Sequence, residues 1–292
     1  MTLEQWRSSG HFFPHQGHEL FYHAEGDGPV ILLIHGFPTA SWDWHKVWPL
    51  LLPGRRLVAL DMLGFGYSDK PRDHNYSLLF QADLHEALLT NLGVKSCHIL
   101  AHDYGDTVAQ ELLARQADGS LSFRIESICL LNGGIFPEAH SPRLIQRLLM
   151  SRIGWFIGQL SSKRTLRRNF RAIFGPETPP SETEIDDFWA LMTHNNGKAV
   201  IHRIIHYMAE RRQYRVRWAS VLREPPVPIR LLNGNHDPIS GTQMVQRYRE
   251  LAPEPDVVNY PKIGHYPQTE DPDAVVRDYL AFLHRLPRPA ND

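Results

Sequence analysis

The residue types with the clearest chemistry are gathered at Ala101-His102-Asp103-Tyr104-Gly105. A small residue, any residue, a carboxylate, any residue and a glycine match the spacing of a nucleophile elbow, usually written G-x-S-x-G. The turn is so sharp that its flanking positions must be small. Here the central residue is Asp103 instead of serine. A serine must lose a proton before it attacks, whereas an aspartate is already ionised, with a reference pKa of about 3.9. A carboxylate is easily expelled from amides but is well suited to displacing a leaving group at a saturated carbon, forming an ester. That ester must then be hydrolysed, which requires a water and a base. Asp103 can also be read as an ordinary strand-end or helix-capping carboxylate.

The covalent reading predicts an acid and a histidine further along the chain, in that order. Both are present. Asp237 follows an apolar run at 227–232, and His265 lies in Gly264-His265-Tyr266-Pro267 after a strand-like run at 256–260. Each stands at the C-terminal edge of an expected strand, where open α/β sheets build their sites. An earlier run at 29–34 ends in His35-Gly36-Phe37-Pro38. That loop can offer the Phe37 N–H as one oxyanion donor, and the N–H of Tyr104 supplies the second.

These residues need strands to carry them. Continuous apolar runs at 29–34, 56–60, 97–101, 127–132 and 227–232 have the profile of buried parallel strands. Two short β-type runs between 11 and 24, separated by Gln16-Gly17, read as a hairpin. Helical patterns follow at 76–92, after the elbow, and at 274–286. The Gly-rich turn Asp61-Met62-Leu63-Gly64-Phe65-Gly66-Tyr67-Ser68 reads as structural, because it lacks the phosphate-loop lysine and spacing. From 135 to 218 the strand pattern disappears. That stretch holds 14 Lys and Arg against 7 Asp and Glu and reads as a helical cap inserted between two strands. Its basic run, Lys163, Arg164, Arg167, Arg168 and Arg171, reads as a solvated helix face. The expected division is therefore a core of 1–134 and 219–292 with a cap of 135–218.

The 292 residues, 42% hydrophobic and 22% charged, suit a packed globular chain. A net charge of −1 gives no support to nucleic-acid binding. Cys97 and Cys129 fall in expected core strands and read as buried thiols. No signal-peptide pattern or membrane-length apolar run is present, so a cytoplasmic location is the default expectation. His15, His18 and His23 lack a supporting cluster, and His202 and His206 lack a third ligand, so no metal is expected.

Taken together, His35-Gly36-Phe37-Pro38, Asp61-x-x-Gly64-x-Gly66-x-Ser68, His102-Asp103-Tyr104-Gly105, Asp237 and Gly264-His265 resemble the α/β-hydrolases of the epoxide hydrolase and haloalkane dehalogenase branch. Within it, His102-Asp103-Tyr104-Gly105-Asp106 and Asn132-Gly133-Gly134-Ile135-Phe136-Pro137-Glu138 are most similar to the mesoderm-specific transcript proteins, for which the resemblance implies no known substrate. It implies a mostly parallel eight-stranded sheet flanked by helices, a cap, a cis Phe37–Pro38 bond, and catalysis by Asp103, Asp237 and His265 without a cofactor. Epoxide hydrolysis is the expected reaction, with a small apolar substrate and water. A tyrosine of the cap, Tyr207 or Tyr214, is expected to protonate the epoxide oxygen. Haloalkane dehalogenation is the alternative, with Trp218 as halide donor; a binding protein on the same fold is the third reading. His35, Trp42 and His102 complete the expected substrate pocket. Two departures matter: dehalogenases commonly carry Asn where Phe37 stands, and both groups usually carry Trp where Tyr104 stands.

Overall fold

The computed structural model describes residues 1–286. Eight strands form one sheet: β1 (His11–His15), β2 (His18–Glu25), β3 (Val30–Ile34), β4 (Arg56–Leu60), β5 (Ser96–His102), β6 (Arg124–Leu131), β7 (Ile229–Gly234) and β8 (Asp256–Tyr260). Their order is β1-β2-β4-β3-β5-β6-β7-β8. β1 and β2 are antiparallel, as are β2 and β4; every other pairing is parallel. The β1–β2 hairpin turns at Gln16 and Gly17, both with positive φ, as a two-residue hairpin turn of the primed kind requires.

The continuous apolar runs are explained by a sheet covered on both faces. In β3, Leu32 and Ile34 enter one apolar layer, and Ile31 and Leu33 enter the other. The two-residue period of a strand divides the run between the layers. Cys97 and Cys129 are buried free thiols on β5 and β6. The longest helices beside the sheet are Leu78–Asn91, Tyr104–Asp118 and Pro272–Arg285. A first helix, Leu3–Ser9, escaped the sequence reading although its capping box, Thr2 with Gln5, was legible.

Between β6 and β7 the described chain is helical, with Leu144–Leu149, Gly154–Leu160, Lys163–Arg171, Glu182–Thr193 and Tyr207–Gln213 as its main helices. The next helix, Arg215–Arg223, runs across residue 218, where the sequence reading ended the insertion. It packs on the elbow helix Tyr104–Asp118: Trp218 donates its indole N–H to Glu111 Oε2 at 2.8 Å, and Gln110 Nε2 donates to the Trp218 carbonyl. Among the described residues, no helix is long and apolar enough to cross a membrane.

Candidate active site

Asp103 stands where β5 ends and the elbow helix begins, with φ 47° and ψ −103°. A non-glycine residue holds such a backbone only when its surroundings enforce it. Gly105 shows the enforcement: a Cβ there would lie 2.3 Å from the Ile34 carbonyl oxygen of β3. The elbow can therefore press against the neighbouring strand only with glycine at that place.

The loop after β3 brings its backbone to Asp103. The Phe37 N–H donates to Asp103 Oδ2 at 3.2 Å, across the cis Phe37–Pro38 loop. Asp237, after β7, accepts three hydrogen bonds. Its Oδ2 takes the His265 Nδ1–H at 2.7 Å and the Asn132 amide at 3.0 Å, and its Oδ1 takes the Ile239 N–H at 2.7 Å. The other ring nitrogen of His265, Nε2, lies 3.9 Å from Asp103 Oδ2. Asp103, Asp237 and His265 thus meet at one end of the sheet, all buried.

Two residues hold this arrangement from behind. Asn132, at positive φ after β6, accepts from the Gly234 N–H at 2.7 Å and donates to the Gly234 carbonyl, fixing the loop that carries Asp237. Arg211 reaches in from the helix Tyr207–Gln213 and is 2% exposed. Its Nε donates to Thr107 Oγ1 and one Nη donates to the Asp103 carbonyl, both at 2.8 Å. The same Nη lies 3.6 Å from Asp103 Oδ1. The sequence reading missed Arg211. The only available signal was its place one helical turn after Tyr207, beside an equally basic Arg212.

The charges are coupled. Burial opposes ionisation of Asp103, but His265 and Arg211 outweigh it and hold the carboxyl well below the usual range. Burial likewise opposes a charged His265, but Asp237 and Asp103 outweigh it and push the imidazole up to about 10.

Asp103 and His265 open onto a cavity of about 260 Å³, lined mainly by apolar side chains of the insertion such as Leu149, Ile157, Phe170 and Trp189. Tyr207 is buried beside this centre without lining the cavity itself, its ring 5.7 Å from Phe37 and 4.9 Å from Tyr104. Its hydroxyl has no hydrogen-bond partner among the described residues. Burial and the charge of Asp103 both raise its phenol.

The remaining expected pocket residues lie elsewhere. Trp42 stacks on His45 at 4.0 Å and meets Trp6 edge-on, inside the core. Tyr214 packs on Trp218, whose N–H is committed to Glu111. His35 fixes its own loop, Nδ1 toward the Gly36 carbonyl and Nε2 accepting the Met62 N–H. His102 meets the His265 carbonyl through Nε2 at 2.8 Å, so it braces the loop and does not line the cavity. The Tyr104 ring packs against Phe65 and Tyr207, and its main chain opens the elbow helix. Among the described residues, no group of three or more His, Cys, Asp or Glu could hold a metal.

A family model described as alpha/beta hydrolase fold matches residues 29–272. The chain is 42% identical over 295 residues to the mesoderm-specific transcript homolog protein of Bos taurus, covering 97% of this chain and 88% of that protein. It is 39% identical over 283 residues to the putative hydrolase LipZ of Mycobacterium tuberculosis, covering 97% and 98%. Among solved structures, a haloalkane dehalogenase loop variant from Bradyrhizobium elkanii superposes with a TM-score of 0.79 at 21% identity, covering 95% of this chain and 97% of that one.

Proposed function

The chain belongs to the alpha/beta hydrolase fold family, and from that premise we propose that it hydrolyses epoxides through an ester formed on Asp103. The observation that carries this reading is the geometry of Asp103: one carboxylate oxygen on the Phe37 N–H, the other toward Arg211, and His265 Nε2 beside it.

Asp103 Oδ1 attacks an epoxide carbon from behind, and the C–O bond of the ring breaks. The ring oxygen takes a proton from Tyr207, whose free hydroxyl supports this role over Tyr214. Esterification removes the negative charge that faces His265 Nε2, so the imidazole loses part of the support for its proton. The proton it sheds goes to the Tyr207 phenolate and restores the phenol. Neutral His265, oriented by Asp237, then takes a proton from water as that water attacks Asp103 Cγ. The Phe37 N–H holds the oxyanion that forms on Oδ2, with the Tyr104 N–H as second donor. Collapse breaks the Cγ–Oδ1 bond, the departing alkoxide takes the proton left on the re-formed Asp103 carboxyl, and the diol leaves with Asp103 ionised and His265 protonated.

Dehalogenation would share the first step, but its halide donors are wanting. The Phe37 side chain has no donor, and the Trp218 N–H already serves Glu111.

The test is a His265→Gln variant offered a panel of epoxides. The ester should accumulate as a mass increase on the peptide bearing Asp103. If wild type turns over an epoxide and the variant carries no adduct, the mechanism is wrong. Halide released from haloalkanes, with no diol from any epoxide, would transfer the assignment to dehalogenation.

A further inference from the structure

The mouth of the cavity carries a surface that the chemistry does not use. From residue 139 to residue 176 there are eight Lys and Arg and no Asp or Glu. Lys163, Arg167 and Arg171 pair with acids of the following helix, Asp186 and Glu182. Arg143, Arg147, Arg152, Arg164 and Arg168 make no ion pair with any described residue. Three of these, Arg143, Arg147 and Arg168, line one open groove together with Leu144.

The same stretch exposes large apolar side chains. Leu144 is 72% exposed, Ile153 57%, Trp155 50%, Phe156 61% and Leu160 70%. Ile153, Phe156 and Leu160 fall at i, i+3 and i+7 along the helix Gly154–Leu160 and its N-cap, so they share one face. The Trp155 ring lies edge-on to Phe156 at 5.5 Å, extending that face. Isolated exposed apolar residues are ordinary, but a cluster of this kind marks a contact surface.

We propose that this face docks on an anionic lipid bilayer. Trp and Phe beside unpaired arginines are the composition of an interfacial helix, in which rings enter the headgroup boundary and cations meet lipid phosphates. A stretch free of acidic residues has nothing to repel such a surface. The cavity continues into the patch: Leu160, exposed on the face, and Arg143 of the groove both line it. Docking therefore sets the entrance against the bilayer, so that apolar molecules dissolved in lipid reach the cavity without crossing water. The docking itself does not depend on which bond Asp103 attacks.

The experiment is co-sedimentation of the full chain with vesicles of phosphatidylcholine alone or mixed with phosphatidylglycerol. Binding to the mixed vesicles should be at least about tenfold tighter and should weaken in high salt. Arg147→Glu with Arg152→Glu should lower it by about tenfold or more. Trp155→Ser with Phe156→Ser should lower it comparably, although both pairs are exposed and leave the fold intact by circular dichroism. No binding, equal binding to both vesicles, or full binding by either double variant would overturn the proposal. A dimer in solution that Trp155→Ser with Phe156→Ser dissolves, in a chain that ignores vesicles, would also overturn it and assign the face to self-association.

Discussion

Arg211 grips Asp103 by its backbone and its charge together: one Nη lies 2.8 Å from the Asp103 carbonyl oxygen and 3.6 Å from Oδ1. The guanidinium fork spans Thr107 and Asp103 at once, which a lysine cannot do. Arg211→Met should cost about 3 kcal/mol of stability, because a buried carboxylate loses a partner. Removing a cation makes the carboxylate charge less favourable, so the Asp103 carboxyl should titrate higher. The acid limb of kcat/KM should move toward neutral pH, and Arg211→Lys should restore it only in part. Urea unfolding and a pH–rate profile measure the two effects. An unmoved acid limb would confine Arg211 to packing.

The His265 pair predicts how stability depends on pH. The imidazole is raised from 6.5 to about 10 in the folded chain. Its contribution is therefore fully present below pH 6.5 and is lost as pH rises through about 10. Asp103 is shifted the other way, so its contribution is lost only in strong acid, as pH falls through the depressed value. The melting temperature of wild type should fall between pH 6.5 and 10 more steeply than that of His265→Gln. Parallel curves would show that the imidazole binds its proton no more tightly when folded.

Tyr207→Phe removes a buried hydroxyl that has no partner, so stability should change by less than about 1 kcal/mol. Epoxide opening should nevertheless slow by about a hundredfold or more, the worth of a positioned general acid. Single-turnover formation of the Asp103 ester reads this step apart from hydrolysis. Tyr214→Phe is the control, since Tyr214 packs on Trp218, and its ester should form at the wild-type rate.

Gly264 precedes His265 and lies against the insertion: a Cβ there would stand 2.2 Å from the Ile173 carbonyl oxygen. Because the obstacle is backbone, Gly264→Ala must move one chain past the other, costing about 2 kcal/mol. The shift should also carry His265 from Asp103, so the variant should accumulate the ester as His265→Gln does. Wild-type stability together with fast ester hydrolysis would contradict the close approach.

The sheet was legible because two faces of packing demand continuous apolar strands, and β4 and β8 begin and end where the sequence reading put them. The residues now facing one another at the strand ends could be named in advance, since Asp103, Asp237 and His265 each follow a strand and sit near glycine or proline. The side chains arriving from the insertion could not. Tyr207, Tyr214 and Trp218 look alike in sequence, and tertiary packing separates them: Glu111 captures the Trp218 indole, and Tyr214 goes with it. Arg211 was hidden for a related reason. In a basic stretch, a buried cation and a solvated one have the same letter.

The His265 N–H donates to the Ile173 carbonyl at 2.8 Å, and Ile173 belongs to the insertion. His265 is thus moored to the insertion. Were that side to swing outward, the imidazole would travel with it and leave Asp103 behind. Opening of the cavity on that side and a close Asp103–His265 pair therefore exclude one another.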